Sequence, residues 1–180
     1  MTKELEDNKE YVLAIDPALS TTGYAVICKD DCSLTYVNKM TTSNKRTDDD
    51  RINDIITRMF AVVVRYNIKD IVLEDGYLGP NPKTCIQLAT LRGAIIGVFG
   101  YARYNVVHML PSEIRKEFGV GGNAKKEEVA EKVMELYGKD NILNRIGPYS
   151  DKQNKDKTSD MYDAVSIGVA HVRKCKNGKQ

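Results

Sequence analysis

The stretch Tyr11 to Ile27, YVLAIDPALSTTGYAVI, constrains the fold of this 180-residue chain more than any other. Its apolar run stops at Asp16, breaks at Pro17 and Gly23, and resumes as Tyr24-Ala25-Val26-Ile27. That pattern predicts a buried strand, a tight polar connection and a second strand. A carboxylate at the end of a core strand is costly unless water, a cation or several donors surround it. Asp16 therefore needs a partner. One reading makes it a turn cap that accepts bonds from Ser20, Thr21 and Thr22; the other makes it part of a site to which other core elements bring carboxylates.

Further along, Leu34, Tyr36 and Asn38 alternate with Thr35 and Val37 in the manner of a third strand, which completes an antiparallel meander. Thr41 to Asp50 is polar and ends in Asp residues suited to an N-cap. Ile52, Ile55, Ile56, Met59, Phe60, Val63 and Val64 follow helical spacing over Arg51 to Tyr66. Ile68 to Leu73 is a compact strand-length run that ends at Glu74, whose parity matches Val72 while Asp75 points the other way. GYLGPNPK is expected to be a loop. Thr84 to Arg103 is a long helix with Gly93, Gly97 and Gly100, each costing about 1 kcal/mol relative to alanine unless another helix approaches closely, inside the fold or across a dimer. Val106 to Leu110 is a fifth strand, and a helical turn PSEIRKEF leads through the glycine-rich basic loop GVGGNAKKEE to a helix over Lys125 to Tyr137. Gly138 to Ser159 is polar and expected to be mobile. SDMYDAVSIGVAHVRK closes the chain as a helix with a basic end.

The size suits one domain, expected over 11–174 between a solvated leader at 1–10 and a basic tail at 175–180. With 27 Lys and Arg against 25 Asp and Glu the net charge is +2, so any polyanion must be held by local basic patches. Cys28, Cys32, Cys85 and Cys175 lack paired CxxC spacing and the only histidines are His108 and His171, which argues against a zinc site or a disulfide frame. Cys28 and Cys32 are close enough in sequence to bridge a hairpin, but free thiols fit better. The charged beginning is not a signal peptide and no run approaches membrane-spanning length, so an intracellular, cytoplasmic protein with no membrane partner is expected.

Asp160 and Asp163 are three apart and share a helix face. As a cap, Asp160 would sit at the N-cap with Asp163 facing the positive end of the dipole. That does not explain why two core strands also end in acids. Asp16, Glu74, Asp160 and Asp163, with no histidine or cysteine pair beside them, form the oxygen-rich surroundings that Mg²⁺ or Mn²⁺ prefers. Two such ions about 3.5 to 4 Å apart can drive phosphodiester hydrolysis. A nuclease is the expectation.

The segments AIDPALSTTGYAVI, IVLEDGYLGPNPKTCIQLATLRGAII, GVGGNAKKEEVAEKV and SDMYDAVSIGVAH resemble, in that order and at similar intervals, the RuvC family of Holliday-junction resolvases. The resemblance covers nearly all of the chain beyond residue 10. It implies the RNase H-like α/β fold, a five-stranded mixed sheet of three antiparallel strands followed by two parallel ones, flanked by helices. It implies that Asp16, Glu74, Asp160 and Asp163 are the metal-binding catalytic carboxylates and that Lys126 assists cleavage. It also places Tyr77 where the family carries an aromatic that stacks on junction bases, and Arg115 where it has another basic residue. By composition alone Tyr77 is equally a loop aromatic over Pro80 and Pro82, and the lysines are solvated side chains. Pro-Ala-Leu stands where many members have Pro-Gly, Asp75 is a spare acid, and the lysine-rich 150–158 stretch has no counterpart.

The function implied is a crossover junction endonuclease that uses two Mg²⁺ ions to make paired nicks with 5′-phosphate and 3′-hydroxyl ends. A homodimer paired through the helix at 84–103 would address two like-oriented strands, with Lys83, Arg115, Lys125, Lys126 and the lysines of 152–157 on phosphates and a branch-migration helicase as a further partner. The size and the lysine- and asparagine-rich composition suit a bacteriophage or bacterial source. The alternatives are a less selective fork or flap endonuclease and a junction-binding protein without catalysis. DPALSTTG also resembles the phosphate turn of actin-like ATPases, but those clasp a nucleotide between two domains and this chain supplies one.

Overall fold

The computed structural model describes residues 9–76, 79–147 and 158–178. In chain order the elements are β1 (Tyr11–Asp16), β2 (Thr21–Cys28), β3 (Leu34–Thr41), α1 (Asp48–Arg65), β4 (Asp70–Glu74), α2 (Pro82–Tyr101), β5 (Asn105–Met109), α3 (Pro111–Phe118), α4 (Lys126–Tyr137), α5 (Lys139–Arg145) and α6 (Ser159–Asn177). The sheet order is β3-β2-β1-β4-β5, with the meander antiparallel and β4 and β5 added in parallel. This is the expected sheet.

Strand parity divides the interior in two. Val12, Ala14, Ala25, Ile27, Val72 and Met109 pack against α6 and the α3–α4 pair, whereas Leu13, Ile15, Val26, Ile71 and Leu73 pack against α1 and α2. Central strands buried on both faces explain why β1 and β2 read as continuous apolar runs. Helix α6 lies so close to the sheet that a Cβ on Gly168 would come within 3.0 Å of the Ala14 Cβ. At the start of α6 the Tyr162 hydroxyl donates to the Gly147 carbonyl at 2.8 Å and ties the helix to the end of α5. Tyr162→Phe is expected to lower stability by about 1 kcal/mol, read from chemical denaturation.

Several boundaries differ from the sequence reading. Strand β2 begins at Thr21, so Gly23 lies inside it, paired with Asp16, and not at a break in the connection. Helix α1 begins at Asp48 because Thr47 caps it, accepting from the Asp50 amide at 3.2 Å, and three aspartates fill its first turn. Asn81 caps α2 with Pro82 in its first turn, which takes Pro82 and Lys83 out of the expected loop. Strand β4 starts two residues later than Ile68, whose amide instead donates back to Val63 at 2.9 Å. The 138–159 segment holds α5, pinned by buried Ile142 and Ile146; residues 148–157 lie outside the described residues. Asp160 is the second residue of α6 and not its N-cap, which is Thr158, and α6 runs on past 174 to Asn177. All four cysteines are free, including Cys28 and Cys32.

By length and composition α2 could also cross a membrane, contrary to the reading of the sequence. Its inner face belongs to the core: Leu91, Ile95 and Phe99 are fully buried and Phe99 stacks on Phe60 with ring centroids 4.4 Å apart. Its outer face leaves Ile86 67% and Tyr101 91% exposed, and a Cβ on Gly93, Gly97 or Gly100 would meet nothing within 4 Å. Close approach inside the described fold is therefore not what compensates these glycines.

Candidate active site

Asp16 and Glu74 end β1 and β4, which run parallel in the register Ala14↔Val72 and Ile15↔Leu73. Continuing that register makes the two acids neighbours, and their parity with Ala14 and Val72 turns both to the α6 face. The C-terminal ends of parallel strands are where open α/β sheets offer sites. The connection after β1 is closed by Thr22, whose hydroxyl donates to the Ala18 carbonyl at 2.7 Å.

Helix α6 brings the other two acids. Gly23, paired with Asp16 on β2, lies directly beneath the first turn of α6: a Cβ there would overlap the Asp160 carbonyl and come 3.1 Å from the Asp160 Cβ. Asp160 accepts from the Ser159 hydroxyl at 3.4 Å. Asp163, one turn on, accepts from the Lys126 ammonium at 2.6 Å. Lys126 is the first residue of α4, whose start is secured by Glu128 accepting from the Lys125 amide at 2.8 Å.

The electrostatics follow from this crowding. Burial, followed by Asp163, Glu74 and Asp160, pushes the Asp16 carboxyl well above the usual carboxylate range, with Lys126 opposing. Burial and Asp163 push Glu74 up, against Lys126, Arg115 and Arg92. Partial burial works against the Lys126 charge, but Asp163, Asp16 and Asp160 outweigh it and hold the ammonium above the usual lysine value. A carboxyl whose folded pKa is raised retains its proton longer in the folded chain. The stability this confers is present near the ordinary carboxylate range and is lost as pH rises through the folded value. Buried His171 is lowered and acts in the opposite sense below its own range, so the informative quantity is a difference between variants. Metal-free wild type is expected to lose stability relative to Glu74→Gln as pH rises above the ordinary carboxylate range, measured by calorimetry in EDTA.

Among the described residues no three carboxylate, histidine or cysteine side chains already enclose a point that could hold an ion. The donor chemistry nevertheless fits a hard divalent cation: four carboxylates, with Asp16 and Glu74 both raised by burial and by the charge of Asp163, and with Lys126 in contact with Asp163 as a countercharge. The acids would have to close on an ion, with Asp163 sharing or leaving Lys126.

Of the other anticipated residues, Arg115 on α3 is half-buried and near enough to act on Glu74. Lys125 is exposed as the N-cap of α4, and Lys83 is exposed in the first turn of α2, where its amide donates to Asn81. Tyr77 and the lysines of 152–157 lie outside the described residues. Asp75, the spare acid, is used by its own turn: its amide donates to Met109 at 2.8 Å and its carboxylate accepts from Gly76 at 2.7 Å. Sequence reasoning missed Arg92, which comes from α2 to stand beside Glu74 and Gly76. The only signal was a charged residue interrupting an apolar helix.

A sequence profile described as "Crossover junction endodeoxyribonuclease RuvC" matches residues 12–171. Proteins of that name from Ehrlichia ruminantium and Helicobacter pylori are 26% and 28% identical to this chain over 170 and 169 residues. Each alignment spans 92% of this chain and 98% of the relative. The fold is similar to that of Thermus thermophilus RuvC in complex with a Holliday junction substrate, at a TM-score of 0.72 and 20% identity over 94% of this chain and 96% of the other. It is also similar to Fowlpox virus resolvase, at 0.54 and 16% over 91% and 99%. On the profile match, which spans most of its length, the chain belongs to the RuvC family of crossover junction endodeoxyribonucleases, the Holliday-junction resolvases.

Proposed function

We propose that this chain cuts four-way DNA junctions by metal-assisted hydrolysis, with Asp16, Glu74, Asp160 and Asp163 as ligands of two Mg²⁺ ions for which Mn²⁺ substitutes. The observation that carries this reading is the meeting of four carboxylates from β1, β4 and α6 at one end of the parallel strands, with Asp16 driven toward protonation by burial and by the other three acids and Glu74 by burial and by Asp163. When bound, the ions supply Lewis acidity, making water a nucleophile near neutral pH and stabilising the leaving oxygen. Asp16 and Glu74, on strand ends, would hold the ions in place, and Lys126 would neutralise charge as it builds on the phosphate. The products are a 5′-phosphate and a 3′-hydroxyl.

Binding a branched polyanion with a net charge of only +2 falls to local cations. Arg115, Lys125, Lys83 and the lysines of 152–157 take that role in this reading, and affinity should weaken steeply with salt. Tyr77, three residues beyond Glu74, would stack on a base at the branch, worth about 1 to 3 kcal/mol. Paired cuts require two active sites related by two-fold symmetry. The exposed apolar face of α2, with Ile86 and Tyr101 and three glycines open to close approach, is the surface on which a second copy would pack. The work is recombination and repair of DNA in the cytoplasm of a bacterial or phage-infected cell, with a branch-migration helicase as a further partner.

The test is strand cleavage of a synthetic four-way junction beside a matched duplex, Y-fork and flap, in Mg²⁺ and in EDTA. Symmetric, ligatable nicks confined to the junction and absent in EDTA are expected. Equal cutting of fork and flap would make the chain a general branch nuclease, and tight junction binding without cutting would remove the catalytic reading.

A further inference from the structure

Gly76 is a glycine for reasons of space. Gly119, Gly121, Gly138 and Gly147 have positive φ; Gly76 does not, so its backbone suits other residues. A Cβ on Gly76 would nevertheless fall inside the guanidinium of Arg92, far within van der Waals contact of Nη2, Nη1 and Cζ. That guanidinium occupies the volume a side chain would fill. Arg92 is half-buried on α2, beside the fully buried Leu91 and one turn before the fully buried Ile95, so its stem leaves a fixed helix. The other side of the turn is held by β5, where the Asp75 amide donates to Met109 at 2.8 Å. The turn after Glu74 is thus gripped between β5 and one arginine.

We propose that Arg92 is a positioning residue for the metal site: its guanidinium, seated in the space left at Gly76, holds the turn that follows Glu74 so that Glu74 stays beside Asp16. The inference rests on the metal-dependent reading above and adds a residue to it. Glu74 is the last residue of its strand, paired with Met109 on β5, so strand parity sets the face it points to and the turn that follows sets how firmly the strand end is held. Groups that orient metal ligands without touching the ion typically contribute 10- to 100-fold in affinity or activity.

The geometry provides a reciprocal pair of variants. Arg92→Ala removes the grip. Gly76→Ala leaves the charge in the chain but evicts it from its seat, and because the atoms it meets are the end of a flexible side chain, the fold is spared. Four proteins are compared: wild type, Gly76→Ala, Arg92→Ala and the double variant. For each, Mn²⁺ affinity is read by electron paramagnetic resonance titration, junction affinity in EDTA, single-turnover cleavage at saturating junction, and Tm. Each single variant is expected to weaken Mn²⁺ binding and slow cleavage by about ten-fold. Junction affinity and Tm should hardly move, and the double variant should be no worse than either single one, since both remove the same interaction. Additive losses, losses that track Tm, or a change confined to junction affinity would overturn the inference; the last would make Arg92 a DNA contact. Unchanged Mn²⁺ binding and cleavage in both single variants would overturn it as well. Failure of wild type to bind Mn²⁺ or to cut would instead remove the functional reading beneath it.

Discussion

Asp16→Asn is expected to lower single-turnover cleavage of a four-way junction by about 10³-fold or more while raising the Tm of the metal-free protein. The first effect follows from the role proposed for Asp16: metal-assisted charge stabilisation contributes several kcal/mol to the transition state, and each 1.36 kcal/mol is a factor of ten in rate. Asparagine keeps the shape but donates a neutral oxygen to the ions. The second effect follows from the observed surroundings. Burial, Asp163, Glu74 and Asp160 all disfavour the charged carboxylate, so the folded chain holds Asp16 against repulsion when no cation is present. Removing that charge is expected to stabilise the metal-free fold by about 1 kcal/mol, the usual scale when a functional site is relaxed. In saturating Mg²⁺ the order should reverse, because an ion that binds only the folded wild type adds stability through mass action. Scanning calorimetry in EDTA and in Mg²⁺ reads both halves.

The next largest effect is expected from a residue with no side chain. Gly23→Ala places a methyl group where the Asp160 carbonyl lies. Unlike the arginine at Gly76, a helix backbone cannot swing aside, so the start of α6 must lift from the sheet. Overpacking of this kind costs typically 1 to 3 kcal/mol, and a displacement of about 1 Å in a reacting group costs on the order of 10²-fold in rate. Cleavage is expected to fall about 100-fold with a Tm loss, while junction affinity in EDTA, set by surface cations, changes little. A Gly23→Ala protein of unchanged activity would mean that the placement of Asp160 over β2 is immaterial to catalysis.

The residues that were readable from the chain are those whose meaning is carried by periodicity. Val72 and Glu74 share one parity, which separates Glu74 from Asp75 in the sequence; that Asp16 lies on the same face follows from the β1–β4 register. Asp160 and Asp163 were paired by helical spacing. What escaped was whatever depends on tertiary approach. Gly23 looked like a turn residue because glycine is the usual turn former; its reason is the helix lying on it. Arg92 is 18 positions beyond Glu74 on another element, and no local pattern joins them. Helix α5 is 7 residues with Ile142 buried inside it, too short for its period to stand out from a polar segment. Among the basic residues, all three of Lys83, Lys125 and Lys126 stand exposed at helix starts, and the ion pair with Asp163 is what sets Lys126 apart; the sequence presents all three as lysines beside loops.

The central claim, that four carboxylates form a two-ion site on a junction-cutting chain, is tested most directly by counting Mn²⁺ on the junction-bound protein by electron paramagnetic resonance. Two ions per chain in wild type, with loss of ordered binding in Asp16→Asn and in Glu74→Gln, is the predicted result. Wild-type protein that binds the junction tightly yet takes up no Mn²⁺, or takes it up equally in both variants, would contradict the account.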